Sequence, residues 1–321
     1  MQARGATLAP GILFDSDMGR NIDAALALSM LYGLGRGRVI GVAVNSSSLE
    51  AAAFCDVLAR FYGSGGGLPF GLAEDGPKLG DSAMLSVPLA MRDSAGQPVF
   101  RTTIRSAIDT ADPPVLFRNS LLTQQEKQAI AVLAGPATNL AHLLALNGGR
   151  DIVAAKVQLL VMAAGAFDGT QDPRIQADTA SARKVLAEWP SPIVVVGTEA
   201  ARTVPYPDQT IESELSTVPN HPVVAAYRAF RGDKQSAGTS GVPVQAVLAA
   251  LLASNSNAEY LKLSPPGQIE VTGDGRTTFK ESPAGTHRYL VIDPAEKERI
   301  SDAFIKMSAV RPAAGGRGAR N

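Results

Sequence analysis

Residues 15–28 read DSDMGRNIDAALAL and mark a handover between two kinds of pattern. Upstream, Gly11-Ile12-Leu13-Phe14 is an apolar run of strand type. From Asp23 onward the alanines and leucines fall at helical spacing. Asp15, Asp17 and Asp23 therefore gather where a buried strand passes into a helix, with Gly19 in the short loop between them. In open α/β sheets that carboxyl edge is where ligands bind. Carboxylates this close must be hydrated, hydrogen-bonded or holding a cation, because like charges repel. The spacing is not that of an EF-hand: Arg20 stands where the glycine is required and Leu26 where the closing glutamate is required.

Moving outward, strand-like and helix-like runs alternate. The pattern predicts strands at Ile12–Asp15, Val39–Val44, Gln128–Leu133, Val157–Met162 and Ile193–Val196. It predicts helices at Asp23–Tyr32, Leu49–Tyr62, Asn139–Leu146 and Thr179–Glu188, then at Pro222–Arg231 and Pro243–Ala253. Gln268–Thr272 and Arg288–Ile292 read as a late hairpin, and Glu296–Met307 as a closing helix. This alternation implies an α/β fold, a mostly parallel open sheet with helices on both faces. Residues 73–120, rich in Pro, Asp and Ser, read as irregular. Gly63–Gly67 (GSGGG) lacks the Lys-Ser/Thr ending of a phosphate loop and reads as a linker. With no repeat and no clear domain boundary, residues 1–310 are expected to form one domain and 311–321 a disordered tail.

The 321 residues carry 30 Lys+Arg against 30 Asp+Glu, so no basic face for nucleic acid or an anionic membrane is implied. The single cysteine, Cys55, lies in an apolar helical stretch and reads as a buried, inert thiol. No apolar run approaches a bilayer span, and MQARGATLAPGILF lacks the core of a secretory signal, so a cytoplasmic location is expected. His142, His221 and His287 are scattered without metal-type spacing.

The opening stretch resembles the fingerprint D-T-D-x-G-N-D-x-D-D-A-L-A-L of the calcium-dependent, inosine/uridine-preferring nucleoside hydrolases. Asp15, Asp17, Gly19, Asp23, Ala25, Leu26, Ala27 and Leu28 match it. Ala134-Gly135-Pro136-Ala137-Thr138-Asn139-Leu140 is similar to the family's G-P-L-T-N-L segment. Arg183–Glu199 (RKVLAEWPSPIVVVGTE) and Pro283–Asp293 (PAGTHRYLVID) are similar to later passages. The resemblance spans about residues 11–308. It implies a nucleoside hydrolase-like protein acting on a small riboside by hydrolysis of an N-ribosyl bond, with a metal-bound water as nucleophile. Relatives of this type are commonly oligomeric, which leaves homo-oligomerisation open.

By that resemblance Asp17 is the catalytic base and a calcium ligand. Asp23 contacts the ribose near the metal, and Thr138 offers its carbonyl to calcium. Asn45 and Ser48 fall near the asparagine that follows the family's second strand. Asp172 and Arg174 fall on its E-x-N segment. The sequence also departs from the pattern. Asn21 replaces an aspartate, Ala24 replaces the second aspartate of the paired motif, and Pro243 of Gly241–Leu248 replaces the late one. Charged metal ligands then fall from three to one, whereas calcium takes 6–8 oxygens. Arg174 could pair with Asp17 or Asp23 in place of the lost metal charge, or hold an anionic riboside. A catalytically inactive relative that binds a small ligand or a partner is the alternative. Plainer readings also stand: Asp15 as a structural acceptor, and Asp23 as an acid at a helix start.

Overall fold

A computed structural model describes residues 9–33, 38–64, 66–213, 215–232, 242–255 and 258–308. The tail 311–321, Gly65 of the glycine-rich linker and Gly241 of the late segment lie outside the described residues. Ten strands are described: β1 (Gly11–Ser16), β2 (Arg38–Val44), β3 (Phe70–Leu72), β4 (Ala129–Ala134), β5 (Val157–Met162), β6 (Ile193–Val195), β7 (Lys262–Leu263), β8 (Gly267–Val271), β9 (Thr277–Glu281) and β10 (His287–Val291). They form one sheet in the order β3-β2-β1-β4-β5-β6-β10-β8-β9, with β7 pairing β10 off this path. From β3 to β10 the neighbours run parallel, and β8 and β9 add an antiparallel edge.

The central strands are apolar on both faces, as a doubly covered parallel sheet requires. Ile12 and Phe14 of β1 point into one core and Leu13 into the other. The first core lies under helices Asp23–Gly33, Leu49–Phe61, Pro222–Arg231 and Gln245–Ser254. The second lies under Pro113–Leu122, Thr138–Ala145 and Thr179–Glu188. The helix Gln245–Ser254 is buried all round from Gln245 to Ala253, which explains why its sequence has no polar face.

Two expectations are corrected. Residues 73–120 are not wholly irregular: they contain helices Ala83–Ala90 and Pro113–Leu122 and a 3₁₀ turn at Ala107–Asp109. The prolines misled the reading, for Pro113 and Pro114 open their helix, where a missing N–H costs nothing. The late hairpin joins β8 to β9, with Ile269 opposite Phe279, and the strand near residue 288 meets β8 antiparallel on its other side, with His287 opposite Gly267. That strand, β10, lies parallel to β6 with Arg288 opposite Val194. No helix among the described residues is long and apolar enough to cross a membrane.

The chain leaves β1 toward β2 and β3 on one side and returns to build β4, β5 and β6 on the other. The strand order therefore reverses between β1 and β4. Their carboxyl ends, Ser16 and Ala134, border the crevice that such a reversal leaves open.

Candidate functional site

Asp15, Asp17 and Asn45 lie at the carboxyl ends of β1 and β2, Gly135 and Pro136 follow β4, and Ala163 follows β5. Asp15 is buried behind this edge. Its Oδ1 accepts from Asn45 Nδ2 (2.8 Å) and Asn139 Nδ2 (2.9 Å). One carboxylate oxygen thus ties together the end of β2, the end of β1 and the helix Thr138–Ala145. Burial pushes the Asp15 carboxyl up to about 8, with the two amides opposing. Its Oδ2 and the Oδ1 of Asn45 have no described partner.

Arg174 occupies the middle of the carboxylate cluster. Its Nε donates to Asp17 Oδ2 (3.2 Å), and its Nη2 to Asp17 Oδ1 (3.3 Å) and Asp23 Oδ2 (3.4 Å). Nη1 donates to the Ala163 carbonyl (3.0 Å) and to Gln245 Oε1 (3.3 Å). A guanidinium has five N–H groups, and these five bonds engage them all. Burial pulls the Arg174 guanidinium down, but the charges of Asp17 and Asp23 outweigh it and leave the group raised from its ordinary value.

Asp23 does more than open its own helix. Its Oδ2 accepts from the amide of Ala246 (2.8 Å) and its Oδ1 from that of Val247 (3.1 Å), so it caps the start of Gln245–Ser254 across the site. Burial raises its carboxyl above the usual range, against the pull of Arg174 and these two amides. Asp172 caps the short helix Pro173–Ala177 by accepting from the amides of Arg174 (2.8 Å) and Ile175 (3.2 Å). Its other oxygen accepts from Gln245 Nε2 (3.1 Å). Asp172 and Gln245 together set the height of the Arg174 side chain.

Asp17, Asp23, Asn45, Asp172 and Arg174 are thus brought together. Ser48 stands apart in its bonding. Ser48 caps Leu49–Phe61, its Oγ accepting from the Ala51 amide (3.2 Å). The Thr138 hydroxyl donates to Asp178 Oδ2 (2.6 Å), and no described hydrogen bond joins its side chain to the cluster. Gln245, Asn139 and the Ala163 carbonyl were missed from sequence. Gln245 had a signal, being a polar residue at the head of an otherwise apolar helix.

Calcium does not fit this donor set. Ala24 is fully buried with no oxygen to offer, and Pro243 is exposed. The late segment sends a neutral amide, Gln245, into the cluster where a carboxylate was expected. The oxygens of Asp17 and one of Asp23 already accept from a cationic donor, and no metal-binding group of His, Cys, Asp and Glu occurs among the described residues.

Asp17 faces solvent through a crevice of about 10 Å³, shared with Arg20, Asn45, Ser46, Pro77, Leu79 and Pro136. That is room for about one water. A larger hollow of about 720 Å³ lies at the amino end of β2, beside Arg38 and Gln124, and no carboxylate or histidine lines it.

Residues 12–301 match the family described as inosine-uridine preferring nucleoside hydrolase. No curated protein matches the chain. Among solved structures the chain is similar to a plant nucleoside hydrolase, the PpNRh1 enzyme, with a TM-score of 0.72 and 17% identity. That match covers 95% of this chain and 100% of the other. It is similar to the inosine-uridine preferring nucleoside hydrolase of Bacillus anthracis, with a TM-score of 0.69 and 17% identity over 94% and 99% of the two chains. It is also similar to the type III effector protein XopQ complexed with adenosine diphosphate ribose, with a TM-score of 0.68 and 15% identity over 96% of each.

Proposed function

The chain belongs to the inosine-uridine preferring nucleoside hydrolase family, and from that premise we propose that it hydrolyses the N-glycosidic bond of a small riboside at the Asp17 crevice. The observation that supports this most is that Asp17 alone of the clustered aspartates lines the crevice, with Asn45 beside it. In this reading water adds to C1′ as the C1′–N bond breaks. The bonding pair leaves on the base, which takes a proton from solvent, and Asp17 receives the proton lost by the water. Asn45, whose Oδ1 is unpartnered, accepts from a ribose hydroxyl. Asp23 and Asp172 hold the geometry from behind, through the head of the helix Gln245–Ser254 and through Gln245. The crevice is far too small for ribose, so this reading requires Pro77 and Leu79 at its rim to move aside on binding. The reading takes residues 1–310 as one functional unit acting on a small molecule in the cytoplasm, with self-association readable by sedimentation.

The test is ribose release from p-nitrophenyl β-D-riboside, inosine and uridine by the wild type and by Asp17→Asn. Release from inosine or uridine is expected, with a loss of about 10²-fold or more in the variant, and the O-riboside serves only as a chromogenic control. No release from either nucleoside by the wild type would refute hydrolysis.

A further inference from the structure

We propose that the Arg174 guanidinium is the resident cation of this site, fixed between Asp17 and Asp23 in the place of a divalent metal, so that the protein operates without calcium. The inference takes the crevice to be the N-riboside site and adds what balances its charge.

Arg174 stands among Asp17, Asp23 and Asp172, and each of these carboxylates is met by the guanidinium, by amides or by both. Asp17 gives both oxygens to Arg174, and Arg20 Nε stands 3.8 Å from it at the rim. Asp23 shares Arg174 and takes two amides at the head of a ten-residue helix, the end that carries partial positive charge. Asp15 is turned to two side-chain amides, and no described hydrogen bond or ion pair joins it to the cation.

The guanidinium is built in rather than resting there. Its backbone amide is held by Asp172, its Nη1 by a strand-end carbonyl and by Gln245, and Gln245 in turn by Asp172. The side chain is 6% exposed. A buried guanidinium is costly unless every N–H is met and carboxylates surround it. Both conditions hold here. Calcium could enter only by displacing a guanidinium whose five N–H groups are all bonded. With all five N–H groups engaged, Arg174 also has none to spare for an anionic ligand, which distinguishes a resident cation from a ligand clamp.

The test uses the full chain stripped with chelator. Calcium chloride is titrated into the wild type by calorimetry, and thermal unfolding is followed in millimolar calcium and in chelator. No binding heat and coincident transitions are expected. One-to-one binding at micromolar affinity would overturn the proposal. The double variant A24D/R174N removes the cation and restores a carboxylate, so its Tm is expected to rise by about 4 °C or more with millimolar calcium. A folded double variant that ignores calcium would also overturn the proposal, since the place would then not be a cation's. If the double variant does not fold, the wild-type titration decides. A protein that ignores calcium and releases no ribose refutes the hydrolase reading alone. One that binds calcium and releases ribose refutes this inference alone.

Discussion

Three chain segments meet at Gly135 with no space for a side chain. A Cβ there would collide with Asn45 Oδ1 and lie 2.8 Å from the Asp17 amide and 3.0 Å from the Ser16 carbonyl carbon. The last two are backbone atoms of the β1 end, held by the Asp17 amide bond to the Ala134 carbonyl (3.1 Å), so they cannot retreat cheaply. Gly135→Ala is therefore expected to cost about 1–3 kcal/mol in denaturant unfolding and to lower riboside turnover by displacing Asp17 and Asn45 together. An alanine variant with wild-type stability would mean that the strand end yields. Residues like these set what could be read in advance. The aspartates at 15, 17 and 23 are legible because strand, loop and helix patterns meet there, and the pairing of Arg174 with them follows once the metal ligands are seen to be missing. The bond from Gln245 to Asp172 is not legible, because it joins residues 73 apart through the fold. Nor is the second task of Asp23, which caps a helix 223 residues away.

At the scale of elements, the helix Pro222–Arg231 shows how a cap becomes a pH response. His221 Nδ1 accepts from the Val223 amide (3.2 Å), which leaves the proton on Nε2, facing the Tyr62 hydroxyl (3.2 Å). Burial drops the His221 pKa to about 4. Below its ordinary value of about 6.5 the unfolded chain binds a proton that the folded one refuses. The stability contributed by neutral His221 is therefore complete above pH 6.5 and is lost as pH falls toward 4, with a slope of at most about 1.4 kcal/mol per pH unit. His221→Asn keeps a capping acceptor and cannot titrate. The gap in stability between wild type and variant should narrow between pH 6.5 and 4, followed by unfolding at stepped pH. A constant gap would show that the ring is already solvated. The bounds of this helix were legible because Pro222 opens it after a polar cap. The strands β3, β7 and β9 were not: two to five residues give too little alternation to stand out, and β9 is defined by the partner it meets.

For the whole molecule the decisive pairing is the one that sequence order hides. β10 arrives late in the chain and inserts between β6 and the β8–β9 hairpin, so the parallel sheet is completed only by its last strand. His287, Arg288 and Tyr289 pair with Ile193, Val194 and Val195, all three of which are buried. The helix that follows, Lys297–Ser308, drives Ile300 and Phe304 into the first core, where the Phe304 ring stacks 6.0 Å from that of Tyr206. A chain ending at Ser282 would leave β6 with an unpaired buried edge and open the core over Tyr206. Burial of Ile300 and Phe304 alone is worth about 1.5–3 kcal/mol for each side chain, comparable with much of a domain's net stability. Such a truncation is expected to lose its cooperative thermal transition and to aggregate through the bare edge. Phe304→Ala should retain the transition but lower stability by about 3–5 kcal/mol. The two variants separate an edge effect from a packing effect. A truncated chain that still melted sharply would mean that β1 to β6 fold without their closing strand. The carboxyl edge that carries Asp17 and Arg174 would then owe nothing to the end of the chain.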